Sequence, residues 1–433
     1  MGSWSVLLTI GTETTRGQAE GRNEPRKGKG CMKSWSLDRP GIHPSARIHA
    51  EELALAPDVI IGAGTVLIGD RIDIGAGTVI GPGCDLRASH IRIGPESEFS
   101  GHVQVLVAEA FLVGAAARIE NGVRITCRSF TAGNLLYFGE GSQVGYGGTT
   151  ASTAVVTIGS RVTVGQWSIL NANLPITIGN DVGTGSYLAI WTHGYHFGHG
   201  PLDGFEPSYA PVTVEDNVWL GFQITILPGV SVGRHTMVAA GAVVASSLPE
   251  RVMAGGVPAK VKKSIAARKL TPDEAMAAVI SVVERWALEL DWKGHQASRR
   301  DGKPVWMAES RTPEVTPPER MQVTVQTCEQ PVDLPSGPWH HAVVFVDGLP
   351  EGFDQECGIS FFDVRAGLMG GPRTRLSEDL RNELRRNAMP CGDTHTFTSV
   401  EPEPFRRLSK FEDLHDLPHG LGARSEEVAD GAA

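Results

Sequence analysis

Three histidines fall within seven positions at one place in the chain, Trp191-Thr192-His193-Gly194-Tyr195-His196-Phe197-Gly198-His199. An imidazole changes charge near neutral pH, so such a cluster supports two kinds of chemistry. One ring can take a proton from a hydroxyl or an amine as a general base. Alternatively, His-x-x-His-x-x-His can ligate a metal. Ordinary polar loop residues are the third reading, and three rings crowded into one insertion argue against it. Just upstream, Leu170-Asn171-Ala172-Asn173 offers two amides, groups that both donate and accept and so suit a hydroxyl. Amides capping a turn are the plain alternative. Asp203, Glu206 and Tyr209 follow as groups able to orient a base or an acceptor, and Lys260, Lys262 and Lys263 form a basic tip able to meet phosphates.

The elements that must position these residues repeat every six. Val214, Leu220, Ile226, Val232, Val238 and Val244 are spaced by six, and small residues follow at Gly221, Gly233, Ala239 and Ala245. That beat fits neither a plain helix nor a plain strand. It marks a β-solenoid in which each hexad supplies a short strand and a corner, the aliphatic side chain inward. The beat is present at Ile68, Ile74 and Ile80, loosens over residues 99–157, and returns at Ile158, Val164 and Leu170. It slips by two near Pro175, resumes at Ile178, Thr184 and Ile190, and is then broken by the insertion Trp191 to Pro211.

With 433 residues, 41% of them hydrophobic, the chain can bury a core and suggests two or three domains. A net charge of −10 implies no broad basic surface for nucleic acid, and no apolar run approaches membrane-spanning length. The six cysteines are scattered without a CxxC pair, as expected of reduced thiols in a cytoplasmic protein.

Residues 1–40 are expected to be a disordered leader, with Met32 a possible natural start, and residues 41–265 to be the solenoid. Thr271-Pro272-Asp273-Glu274 opens a helix, with a Thr cap, Pro at the first position and acids in the first turn. Residues 266–300 are therefore expected to be a helical cap on the solenoid end or to pack on a neighbouring subunit. Residues 301–319 read as a linker and 320–411 as a small α+β region. Its strands are expected at Val323 to Val325, Ala342 to Val346 and Ile359 to Val364, and a charged surface helix at Leu376 to Asn387. Residues 412–433 are expected to be a disordered tail.

Asp216-Asn217-Val218-Trp219-Leu220-Gly221, Ile226-Leu227-Pro228-Gly229-Val230, Val238-Ala239-Ala240-Gly241-Ala242-Val243-Val244 and Gly256-Val257-Pro258-Ala259-Lys260 resemble the last coils of hexapeptide-repeat acyltransferases. The branch most resembled is that of the maltose, galactoside, polysaccharide and xenobiotic acetyltransferases, over roughly residues 42 to 265. The resemblance implies a mainly β chain built on a left-handed parallel β-helix, a handedness opposite to the usual crossover rule. It also implies a homotrimer with acetyl-CoA in the cleft between subunits.

The resemblance implies roles too. A histidine that begins the loop is the base, which points to His193, with His196 second. Asn171 and Asn173 resemble a corner that holds the acceptor, joined by Trp191 and Tyr209. Trp219 resembles a tryptophan near the thioester, and Gly221, Ala239, Ala240 and Gly241 would let the pantetheine arm lie close to backbone amides. Lys260 and Lys263 would meet the phosphates. Where relatives carry Thr-Lys-Asp before the proline, this chain has Ala245-Ser246-Ser247. The expected reaction is acetyl transfer from acetyl-CoA to a hydroxyl or amine of a sugar or sugar-derived acceptor, by direct attack with histidine as base. A zinc solenoid similar to the γ-class carbonic anhydrases and an antibiotic acetyltransferase are the alternatives. In the zinc family the ligands lie on neighbouring coils, whereas here the three histidines share one loop.

Overall fold

The structure, a computed structural model, describes residues 33–35, 39–145, 151–194, 198–266, 268–310, 318–332, 338–356, 358–389 and 391. His196, Met32 and the expected tail lie outside the described residues.

Branched aliphatic residues at every sixth position fold as predicted. Their strands stack in parallel into three faces. The first holds Val155–Ile158, Ile176–Ile178, Val212–Val214 and Ser231–Val232. The second holds Thr163–Val164, Gly183–Thr184, Trp219–Leu220, Met237–Val238 and Val252–Gly255. The third holds Ile169–Asn171, Ala189–Trp191, Thr225–Ile226 and Val243–Val244. In-register pairing puts one inward side chain over the next: Ile158, Ile178, Val214 and Val232 on the first face, Leu170, Ile190, Ile226 and Val244 on the third. These columns are almost wholly buried, and each such side chain contributes about 1.5–3 kcal/mol of burial. A Cβ on Gly221 would lie 2.7 Å from the amide nitrogen of Ala240 on the next coil, which is why the residue after the strand must be small. This is the mainly β solenoid of parallel stacked strands that the repeat predicts.

The stretch 99–157, where the beat fades, also forms parallel-paired coils over its described residues 99–145 and 151–157. Phenylalanines replace aliphatics in its core: Phe99, Phe111, Phe130 and Phe138 are fully buried and touch in sequence at 5.6–6.4 Å between ring centres. Its coils also run long. Phe99 lies beneath Ile119, twenty residues on, whereas Leu220 lies beneath Val238, eighteen on. At the other end, Lys33–Trp35, inside the expected leader, is a strand paired antiparallel to Arg47–Leu55.

The C-terminal third has its strands and helix where expected, at Arg320–Gln326, His340–Phe345, Ser360–Asp363 and Arg375–Arg386, and departs in how they are grouped. Helix α1 (Pro272–Trp292) starts as predicted, with Thr271 Oγ1 accepting from the Glu274 amide and the Glu274 carboxylate from the Thr271 amide. It does not form a unit of its own on the solenoid. Its buried face, Val279, Val282, Val283, Trp286 and Leu290, shares one core with Trp306, Met321, Val323, Val344, Phe362, Leu376, Leu380 and Leu384. The expected cap is thus part of the C-terminal module, and the expected linker supplies a strand, Val305–Glu309, to its sheet. The sheet runs Gln296–Arg299, Val305–Glu309, Arg320–Gln326, His340–Phe345, Ser360–Asp363 and Leu368–Gly370. Its middle three strands are parallel and its outer pairings antiparallel.

Helix α2 (Arg375–Arg386) is capped by Thr374 and is buried, not the surface helix its charges suggested. Its Asp379 accepts two hydrogen bonds from Lys293 Nζ, at 2.6 and 2.7 Å, and one from Trp286 Nε1 at 3.2 Å. Arg381 pairs with Glu378 at 2.9 Å. Each charge that left water thus faces an opposite one, the condition for tolerating its burial.

Candidate functional site

The insertion leaves the solenoid at the corner that follows the third face. The strand Ala189–Trp191 lies on Ile169–Asn171, so Trp191 sits directly over Asn171. Thr192, fully buried, ties the corner together. Its hydroxyl donates to the Asn171 carbonyl (2.8 Å) and accepts from the amides of Asn173 (2.8 Å) and Leu174 (3.1 Å). Its carbonyl accepts from the Ala210 amide at 3.0 Å, which closes the base of the insertion. Thr192 is a residue of this corner that sequence reasoning does not pick out, since its hydroxyl bonds only main-chain groups. Its one signal is the Thr-His pair itself.

His193 begins the excursion. His193–Gly194 pairs antiparallel with Ser208–Tyr209, so His193 faces Tyr209, with ring centres 6.2 Å apart and planes 24° from parallel. The Trp191 ring meets the same imidazole edge-on at 6.1 Å. The imidazole is therefore partly sheltered between two aromatics, an environment that fixes its position. The Asn173 side-chain oxygen is enclosed and has no hydrogen-bond partner among the described residues. An enclosed acceptor in that condition costs stability until a donor reaches it.

The structure thus brings Asn171, Asn173, Trp191, His193 and Tyr209 to one corner. Asp203 and His199 lie elsewhere on the insertion. Asp203 accepts from the Gly200 amide at 3.0 Å and lies 3.9 Å from His199, whose ring packs on Phe205. Glu206 is exposed. Among the described residues, no group of three or more His, Cys, Asp or Glu side chains is placed to hold a metal ion.

The residues expected at the donor lie on another part of the solenoid. Trp219 is on the second face, 50% exposed, its ring lying over Gly183, where a Cβ would come within 2.8 Å of it. Gly221, Ala239, Ala240 and Gly241 follow on the next corner. Ala239 donates to the Ala254 carbonyl at 2.9 Å, and Gly241, at φ +70°, donates to the Phe222 carbonyl at 2.8 Å. The coils themselves require these small side chains, so the sequence signal at these positions has a structural cause as well. Lys260 and Lys263 are exposed on Lys260–Ser264, the strand paired antiparallel to Val252–Gly255. Within one chain the first face separates the His193 corner from the Trp219 face. Trp219, Phe222, Tyr187, Trp167 and Met237 leave much apolar surface exposed along the second face and the corner after it.

No protein-family model matches the chain. Among curated proteins, it is 38% identical over 121 residues to a Saccharomyces cerevisiae protein named as an acetyltransferase, covering 26% of this chain and 61% of that one. It is 32% identical over 113 residues to the galactoside O-acetyltransferase of Escherichia coli, covering 25% and 56%. The matches span about three-fifths of the length of these relatives. Among solved structures, a galactoside acetyltransferase in complex with coenzyme A aligns with TM-score 0.26 and 24% identity, over 33% of this chain and 71% of that one.

Proposed function

We propose, from a parallel β-solenoid whose sequence is similar over part of its length to proteins named as acetyltransferases, a galactoside O-acetyltransferase among them, that this chain moves an acetyl group from acetyl-CoA to a hydroxyl or amine of a sugar or sugar-derived acceptor. The observation that carries the reading is the corner where Thr192 fastens the Asn171 to Asn173 turn to His193. The Asn171 to Asn173 turn and His193 belong to the same corner, which supports reading them as acceptor site and base.

The thioester arrives activated, so the protein need only orient the acceptor and remove its proton. His193 takes the proton as the acceptor oxygen or nitrogen attacks the carbonyl carbon, a form of help worth ~10²–10⁴-fold. Backbone amides of the adjoining coil hold the oxyanion. The carbon–sulfur bond then breaks, the thiolate recovers the proton from the imidazolium, and acetylated acceptor and coenzyme A leave. His196 is the second candidate for the base. Asn171, Asn173, Trp191 and Tyr209 bind the acceptor.

Trp219, Gly221, Ala239, Ala240 and Gly241 accommodate the pantetheine arm, and Lys260 and Lys263 meet the phosphates. The two sets occupy different sides of one chain, so the site needs a neighbouring copy; with the trimer that the resemblance implies, the His193 corner of one chain meets the Trp219 face of the next. Exposed apolar surface along that face is what such an interface would bury. We place the protein in the cytoplasm, where the donor is made. Among the described residues no helix is long and apolar enough to cross a membrane.

The test is thiol release from acetyl-CoA with a panel of sugars, amino sugars and nucleotide sugars, paired with sedimentation of the purified protein. Acceptor-dependent release by a trimer supports the reading. No release with any acceptor, or a purely monomeric protein that turns over, contradicts it.

A further inference from the structure

The corner between the second and third faces holds glycine on two successive coils. Gly122 and Gly141 both sit in the left-handed region there, at φ +69° and +67°. The next coil puts Trp167 at the same place and in the same conformation, φ +57°. Main-chain bonds fix the correspondence: Gly141 donates to the Asn121 carbonyl at 3.1 Å, and Trp167 to the Glu140 carbonyl at 2.9 Å. A bulky residue is costly in that backbone region, where glycine is at ease. The indole lies over Gly141, where a Cβ would run into its ring, and it is 51% exposed. An aromatic ring is thus held on the surface against the preference of the backbone, and it takes no part in the solenoid core.

Against this indole lies a pocket of about 200 Å³, bounded by Asn121 and Glu140 on the corner and by Arg124 and Gln143 on the third face. Arg124 and Gln143 are register partners on adjacent strands. Among the described residues, no hydrogen bond or ion pair engages these four side chains. One guanidinium and one carboxylate leave the lining neutral. A Cβ on Gly122 would meet nothing within 4 Å, so the pocket is open toward the preceding coil.

We propose that this pocket is a binding site for a neutral saccharide ring, separate from the catalytic corner. A pyranose carries hydroxyls around its rim and C–H groups on its faces. The exposed indole takes a C–H face. Around the rim, Arg124 only donates, Glu140 only accepts, and the two amides do both. The neutral lining gives a phosphate or a carboxylate no net attraction. Trp167 lies two coils from Trp219 and on the corner instead of the face, outside the donor residues. It precedes Asn171 by four residues, which span about 14 Å at most, so the third face separates it from the acceptor corner. The next coil carries Tyr187 on the same corner, also 51% exposed, so a chain of sugars has a second ring to follow. A saccharide longer than one ring is thereby retained on the flank of the solenoid. Binding here uses neither the base nor the thioester, so the inference does not need the proposed acetyl transfer.

The experiment is calorimetric titration of the intact chain, without acetyl-CoA, with maltotetraose, cellotetraose and triacetylchitotriose in turn. Wild type should bind at least one. Trp167→Ala should weaken that binding by about tenfold or more, and Arg124→Ala by about threefold to tenfold. Trp191→Ala, altered at the acceptor corner, should stay within about twofold of wild type. Trp167→Ala should sediment as wild type does, and if it fails to fold, Arg124→Ala carries the test, since that side chain is exposed. A chain that binds sugar at Trp167 yet releases no thiol would sink the catalytic reading and leave this one. The inference is overturned if none of the three sugars binds, or if folded Trp167→Ala or Arg124→Ala binds as wild type does. Loss in Trp191→Ala as large as in Trp167→Ala overturns it too, placing the sugar at the acceptor corner. A changed assembly state in Trp167→Ala does the same, making the corner a subunit contact.

Discussion

Replacing His193 by alanine separates catalysis from structure at the proposed site. The backbone around it does not depend on the ring. The antiparallel pair with Tyr209 is made by main-chain groups, and the Thr192 hydroxyl holds the Asn171 to Asn173 turn without it. Among its ring contacts the fold loses one facing Tyr209 and an edge contact with Trp191, worth about 0.5–1.5 kcal/mol each. Catalysis loses the proton acceptor, a factor of ~10²–10⁴ or roughly 3–5 kcal/mol of barrier. His193→Ala should therefore reduce kcat at least a hundredfold with nearly unchanged unfolding temperature. The KM for acetyl-CoA should move less than about twofold, because the donor residues lie on another face. Continuous detection of released thiol gives both constants, and differential scanning calorimetry gives the stability. A variant keeping more than a tenth of wild-type kcat refutes the assignment, and loss in His196→Ala with His193→Ala active moves the base three residues along the loop.

Two further outcomes follow from particular contacts. Gly183→Val sets a side chain where even a Cβ would lie 2.8 Å from the Trp219 ring, so the indole must swing away. The KM for acetyl-CoA should rise about tenfold or more with a smaller change in kcat, and donor kinetics identical to wild type would show that Trp219 does not face the donor. In the C-terminal module, burial holds the His340 imidazole below its ordinary value of 6.5. The folded module thus binds fewer protons than the unfolded chain just below that pH, so its stability should be full above pH 6.5 and fall as the pH drops toward the depressed folded value. His340→Gln should flatten that fall in melting temperature between pH 7.5 and 5, and an equal slope in variant and wild type would contradict the assignment to His340.

The late coils were legible because a branched aliphatic recurs at every sixth position from Val214 to Val244 without a break. The coils over 99–157 were not. Their core positions hold Phe99, Phe111, Phe130 and Phe138, and their longer circuits move those residues off a strict period. Helix α1 announced its start through local capping chemistry, yet its partner could not be read, since Trp286 meets Asp379 across 93 residues of chain. A comparable distance hid the burial of α2: Asp379 looks solvated until Lys293, 86 residues away, is seen to face it. At the site, histidine and asparagine types suggested chemistry directly. Thr192 did not, because its work is done on main-chain groups, and the separation of His193 from Trp219 onto different sides emerges only when strands are assigned to faces.

The claim at the centre is that each active site is shared between two chains, and mixing two impaired variants measures it. His193→Ala removes the base from one side and Gly183→Val displaces Trp219 on the other. Refolded together in equal amounts at limiting acetyl-CoA, randomly mixed trimers should form a fully intact site at roughly a quarter of their interfaces, and thiol release should return to about that fraction of wild type. If the base and the donor groove belong to the same chain, every site carries one defect and the mixture stays as inactive as its parts.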